Sequence, residues 1–400
     1  MPLPRPPYDT IALVLQGGGA LGAYQAGVAE GLSEAGIEPD WVAGISIGAI
    51  NAALIAGNAP EHRVARLQEF WQTISQPGLW PADAPWLAQA IGATDGPGRQ
   101  VWNGWQAWRA LTEGQRGFFL PRGLAPWLGV RASAEDASFY DTAPLKATLE
   151  RLVDFDRINA GVTRLSVSAV DIETGNFEIF DNRTGPWRGQ IGPQHVMASG
   201  ALPPGFPAVA IEDPLPKGGR RAGGAPTRRV RHYWDGGLVS NTPLAQVLED
   251  LPRRDTLAFQ VDLWSARGAL PTNVVDAQER VKDIQFSSRT RAITQVFANE
   301  QRQRRLLRDL LERIPAAERA RDPSCRAAAE EACGRCVNVI HLIYGEKAWD
   351  GLSKDYEFGP LTMRDHWASG LADLRHTLAH PQWLARPDED APFVTHDVHR

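Results

Sequence analysis

Two kinds of apolar run alternate at the start of the chain. "TIALVLQ" (10–16) and "WVAGIS" (41–46) are short, whereas "ALGAYQAGVAEGLSEAG" (20–36) and "IGAINAALIAG" (47–57) are longer and built largely of helix-forming residues. The order predicts strand, helix, strand, helix. Parallel strands need such helical crossovers, so a mainly parallel sheet with helices on its faces is expected. "RLSVSAVDI", "NFEIF", "LAFQVDLW" and "VNVIHLIY" predict further strands, with Glu173-Thr174-Gly175-Asn176 turning a hairpin between the first two. Residues 277–321 are polar and Arg-rich but interleaved with Glu and Asp, the pattern of a solvated or partner-facing helix.

Composition narrows the class. Four hundred residues, 43% of them hydrophobic, suffice for a large core, and a net charge of -5 argues against a nucleic-acid binder. No run of about twenty apolar residues exists to span a membrane, and the N-terminal run Ile11–Leu15 is too short for a secretory signal, so a cytoplasmic protein is expected. Cys325, Cys333 and Cys336, with His341 nearby, could be fitted to a zinc site, but a single CxxC pair reads better as ordinary thiols, and no cofactor is expected.

Two segments stand apart. Residues 71–129 hold seven of the fourteen tryptophans (Trp71, Trp80, Trp86, Trp102, Trp105, Trp108, Trp127) and "RGFFLPRG", which reads as an aromatic-packed helical insertion or as a lid that meets lipid. Residues 217–232, "KGGRRAGGAPTRRVRH", carry six Lys or Arg and no acid, as expected of a solvated loop or of a contact with anionic head groups.

Three motifs carry candidate chemistry. Gly17, Gly19 and Gly22 satisfy G-x-G-x-x-G after a strand, the dinucleotide pattern. That reading requires an acid at the carboxyl end of the second strand, whereas Glu38 and Asp40 precede it. Ser46 stands there instead. Gly44-Ile45-Ser46-Ile47-Gly48 matches G-x-S-x-G, a tight strand-to-helix turn that lifts a serine toward substrate, although serine is also a favoured helix cap. Amides of the glycine loop emerge at the same sheet edge and could serve an oxyanion. Among the nine histidines none is a diagnostic base; the better candidate is Asp235, which ends an aromatic run and is followed by Gly236 and Gly237.

Together "GGGALG" (17–22), "GISIG" (44–48), "ASGALPPGFPAV" (198–209), "DGG" (235–237) and "NTP" (241–243) resemble the patatin-like phospholipase family of serine acyl hydrolases. The resemblance implies a three-layer α/β/α fold over residues 1–265. Residues 266–400 are then a largely helical extension, typical of a bacterial subgroup, with one strand returning to the sheet. It also implies Ser46 as nucleophile, Asp235 as base without a histidine, and the amides of Gly17, Gly18 and Gly19 as oxyanion hole, with Gly22, Gly44, Gly48, Gly236 and Gly237 supporting the turns. The implied partner is a lipid or other acyl ester, with peripheral membrane contact; the oligomeric state is left open. Many members carry Lys or Arg where this chain has Leu21. A short-chain or polyester esterase, and a silent lipid-binding or scaffold protein, are the alternatives.

Overall fold

The computed structural model describes residues 3–75, 96–129, 131–214, 229–288, 290–347, 349–388 and 391–397. Most of the basic segment 217–232, together with Trp80 and Trp86, lies outside them. Nine strands form the main sheet: β1 Thr10–Leu15, β2 Trp41–Gly44, β3 Arg164–Asp171, β4 Phe177–Asp181, β5 Val209–Glu212, β6 Val230–Asp235, β7 Thr256–Asp262, β8 Val337–Ile343 and β9 Phe393–Asp397. The hydrogen-bonded path is β9-β8-β7-β1-β2-β3-β6-β5, with β4 paired to β3. From β9 to β3 every neighbouring pair is parallel, and the pairs β3-β4, β3-β6 and β5-β6 are antiparallel. The predicted mainly parallel sheet and the hairpin at 173–176 are both present.

Alternation along β1 explains the layers. Ile11, Leu13 and Leu15 enter the larger core while Ala12 and Val14 enter a second one on the opposite face. The larger core packs against α1 (Ala23–Glu34), α2 (Ile47–Ala56) and α3 (Pro60–Ile74), and the second against Leu244, Val247 and Leu248. A strand buried on both faces reads as a continuous apolar run, which is what "TIALVL" is.

The remaining helices used below are α4 (Gly96–Glu113), α5 (Pro193–Ser199), α6 (Val274–Phe286) and α7 (Pro360–Leu378). Residues beyond 266 supply β8 and β9 to the sheet, and α7 lies against α1 at backbone distance. A Cβ on Gly27 would stand 2.0 Å from the Trp367 carbonyl oxygen, and one on Gly370 1.9 Å from that of Tyr24. Among the described residues no helix is long and apolar enough to cross a membrane.

The edges of β3 position the site. Val167 pairs with Gly44 and with Phe180, and Ala169 pairs with Asp235 and with Glu178. Since β4 occupies one edge throughout, β2 and β6 must share the other, end to end. The carboxyl ends of β2 and β6 therefore meet.

Candidate active site

Ser46 follows β2 and precedes α2 with φ 56° and ψ -125°, the one non-glycine residue of positive φ among those described. Such a conformation costs about 1–3 kcal/mol and persists only where its surroundings impose it. The Ser46 N–H donates to the carbonyl and the hydroxyl of Ser199, both at 3.1 Å, and its carbonyl accepts from Ala49 at 2.9 Å. A Cβ on Gly44 would lie 2.2 Å from the Gly48 carbonyl oxygen, and one on Gly48 2.4 Å from that of Leu15, so the turn closes only with glycines there. The Ser46 hydroxyl does not cap α2, which removes the capping explanation for this serine.

Asp235 ends β6 and is 2% exposed. Its N–H donates to Ala201 at 3.0 Å, and its carboxylate accepts from the Gly237 N–H at 2.7 Å. Burial raises its pKa to about 7; hydrogen bonds from the Ser46 side chain and the Gly237 amide act in the opposite direction. Gly236 rests against β3, where a Cβ would come 2.6 Å from the Ser168 carbonyl oxygen.

The glycine loop is held from two sides. The Gly17 N–H donates to the Asn241 carbonyl at 3.2 Å, and the Gly17 carbonyl accepts from Asn241 Nδ2 at 3.1 Å and Trp264 Nε1 at 2.9 Å. The Gly17 amide is thus engaged. Those of Gly18 and Gly19 have no acceptor among the described residues. Beyond them the Ala20 N–H donates to the Asp355 carbonyl at 2.7 Å, and Gly19 has φ 55° with no room for a Cβ, which would stand 2.0 Å from that same oxygen. The Asp355 carboxylate in turn pairs with Lys282.

Gly17, Gly18, Gly19, Ser46, Asp235 and Gly237 all border one cavity of about 310 Å³. Gly22, Gly44, Gly48 and Gly236 lie behind it in the turns. Its walls are aromatic: Phe118 sits 5.3, 5.7 and 5.8 Å from Phe119, Phe206 and Phe358, centroid to centroid. Leu21 is buried in the core rather than in the cavity wall. Among the described residues no histidine borders the cavity. His341 Nε2 bonds Asp262 at 2.6 Å, and Cys325, Cys333 and Cys336 are free thiols. Asp40 accepts the Ile11 N–H at the opposite end of the sheet, as its place before β2 requires.

Sequence reasoning missed several contributors. Asn241 belongs to the noticed "NTP" but no loop-holding role was evident, because its partner Gly17 is 224 positions away. Trp264, Asp355, Tyr356 and Phe358 carried no signal pointing to this cavity.

Over 50 residues the chain is 54% identical to lysophospholipase nte1 of Aspergillus terreus, which is 12% of this chain and only 3% of that protein's length. The structure of VipD from Legionella pneumophila aligns over 94% of this chain and 67% of VipD, with 17% identity and a TM-score of 0.39. A second family model, described as patatin phospholipase, matches residues 284–390. The model described as patatin-like phospholipase matches residues 13–248, more than half of the chain, and the chain therefore belongs to the patatin-like phospholipase family.

Proposed function

We propose that this protein is a serine acyl hydrolase that cleaves carboxylic esters of lipids through an acyl-serine intermediate. The observation that carries the reading is the placement of Ser46 and the buried Asp235 together on the wall of one apolar cavity, at the meeting ends of β2 and β6. A pKa of about 7 leaves roughly half of Asp235 ionised at neutral pH, suited to accept a proton and return it.

As Ser46 Oγ attacks the ester carbonyl carbon, its proton passes to Asp235 and the carbonyl oxygen takes the negative charge. The unengaged amides of Gly18 and Gly19 are the donors for that charge, a kind of stabilisation worth about 3–4 kcal/mol per donor in acyl transfer. The Gly17 amide, expected to be a third donor, serves instead to fix the loop through Asn241. Collapse of the intermediate expels the alcohol, which takes the proton from Asp235. Water then attacks the acyl-serine as Asp235 takes its proton, the bond from the acyl carbon to Ser46 Oγ breaks, Ser46 Oγ takes the proton back from Asp235, and the acid departs.

The aromatic walls suit an acyl chain, and such a substrate brings the protein to a lipid surface. The test is hydrolysis of p-nitrophenyl butyrate and palmitate by the wild type and by Ser46→Ala, both checked for folding. Turnover lost in the variant supports the reading, and equal turnover in both defeats it. A strong preference for butyrate would favour a short-chain esterase. Lipid binding with no turnover in either would favour a silent binding protein.

A further inference from the structure

Helix α4 buries Trp102, Ala107 and Ala110 together with a polar set, and turns an apolar stripe outward. Arg99, Asn103, Gln106 and Arg109 are each no more than 7% exposed, whereas Val101, Trp105, Trp108 and Leu111 are 45–76% exposed. The exposed four recur at steps of four, three and three, which places them along one face. Trp105 and Trp108 stack with ring centroids 5.1 Å apart.

The inward polar face is largely satisfied, although Gln106 Nε2 has no hydrogen-bond partner among the described residues. The Arg99 guanidinium donates to Asn103 at 2.9 Å, Thr362 at 3.0 Å and Asp365 at 2.8 Å, and Arg109 donates to Glu113 at 2.7 Å. Water-facing helices bury the apolar stripe and expose the polar one. A second apolar stripe turned outward fits a helix whose outer face meets an apolar medium.

The stripe leads to the cavity. Leu111 is both its last member and part of the cavity wall, and the hydroxyl of Tyr140, another wall residue, donates to the Leu111 carbonyl at 2.9 Å. A second exposed apolar patch, Leu124, Trp127 and Leu128, reaches the cavity by another route. Trp127 stacks on Phe139 at 4.4 Å, and the Phe139 N–H donates to the carbonyl of Pro204, which also borders the cavity.

We propose that the outer face of α4 and the 124–128 turn dock on the surface of a zwitterionic lipid assembly, and that an acyl chain enters the cavity past Leu111. The proposal rests on the acyl-hydrolase reading above. A protein seated on this face would cover Leu111 and the opening, whereas a lipid surface delivers substrate there. Tryptophan suits the boundary between acyl chains and water. The cations of α4, Arg99 and Arg109, are turned inward and bonded to acids, so attraction to the surface is apolar rather than ionic.

The experiment is co-sedimentation of the full chain with phosphatidylcholine vesicles, in a Ser46→Ala background that prevents turnover. The double variant Trp105→Gln/Trp108→Gln should lower partitioning roughly tenfold or more, since two large apolar groups no longer leave water. High salt should change partitioning little, and the same pair of substitutions in the active protein should leave p-nitrophenyl butyrate turnover unchanged. Val101→Lys, at the stripe's most exposed position, repeats the test if the double variant fails to fold. Partitioning that ignores both variants, or that salt abolishes, overturns the proposal. So does an oligomer that the variants dissociate without loss of vesicle binding, because the face would then cover a second copy. Tryptophan-dependent binding without butyrate turnover in the wild type would uphold the docking face and defeat the hydrolase reading. Turnover without vesicle binding would do the reverse.

Discussion

Gly44 and Asp235 are bonded to the same edge of one strand, opposite Val167 and Ala169 respectively. Gly44 ends a parallel neighbour and Asp235 ends an antiparallel one, so two chain segments 191 positions apart finish facing each other across a two-residue interval. Ser46 turns away immediately after the first, and Asp235 is buried beside it at the end of the second. This shared edge sets the separation of the two candidate catalytic groups, and four consequences can be measured.

The pH profile follows from Asp235. In the proposed mechanism Asp235 must be ionised to act, and burial raises its pKa to about 7, so kcat/KM should climb through pH 7 and level off above it. Asp235→Asn should lower kcat by roughly 100- to 10,000-fold, the usual range for a general base. A flat profile between pH 5 and 9 on the order of these limits would assign the proton transfer to another group.

The same burial has a cost in stability. A carboxyl whose pKa rises from 3.8 to about 7 on folding binds its proton more tightly when folded, so the penalty is absent below the lower value and complete above the higher. Asp235→Asn removes the ionisation and should stabilise the fold at pH 8 but not at pH 3. Urea midpoints of the two proteins at both pH values decide this; a variant equally or more fragile at pH 8 contradicts the burial argument.

Ser46 is strained by its backbone, and this separates two inactive variants. Ser46→Ala keeps a Cβ at φ 56°, whereas Ser46→Gly relieves it, so the glycine variant should be the more stable by about 1 kcal/mol once its greater unfolded-state entropy is counted. Both should lack turnover. Denaturation midpoints in the reverse order would mean that the turn is not strained.

Gln16 ties the site together from behind. Its side chain is fully buried, accepts from the amides of Leu263 at 2.6 Å and Trp264 at 3.0 Å, and donates to Thr242 at 3.0 Å and Phe286 at 3.1 Å. Gln16→Leu strands the Leu263 and Trp264 amides, while Phe286 keeps Asn241 as donor and Thr242 keeps Asp262, and should cost roughly 2–6 kcal/mol, at about 1–3 for each buried group left unsatisfied. Chemical denaturation measures the loss, and a change under about 0.5 kcal/mol, the size of an ordinary surface substitution, would show that the groups find other partners.

Much of the architecture was legible because local signals agreed. Doubly buried β1 is a nearly continuous apolar run and β7 an apolar run broken by Gln260, and their parallel pairing follows from the helical crossovers between strands. Strand β9, "FVTHD", escaped notice because it lies at the sheet edge with a half-exposed, polar pattern that resembles a loop. Helix α4 was harder still: its apolar periodicity is genuine, but periodicity alone does not say which face turns inward.

The chain's own residues determined the turn at Ser46, since Gly44, Ser46 and Gly48 act within five positions, where only local sterics count. They determined equally the glycine loop after β1 and the acid before a double glycine. Tertiary structure alone decided that β2 and β6 share an edge of β3, that Asn241 occupies the Gly17 amide, and that Asp355 and Phe358, from far along the chain, hold the loop and wall the cavity. These contacts join groups hundreds of positions apart and leave no local pattern, because their energy exists only once the sheet has closed around them.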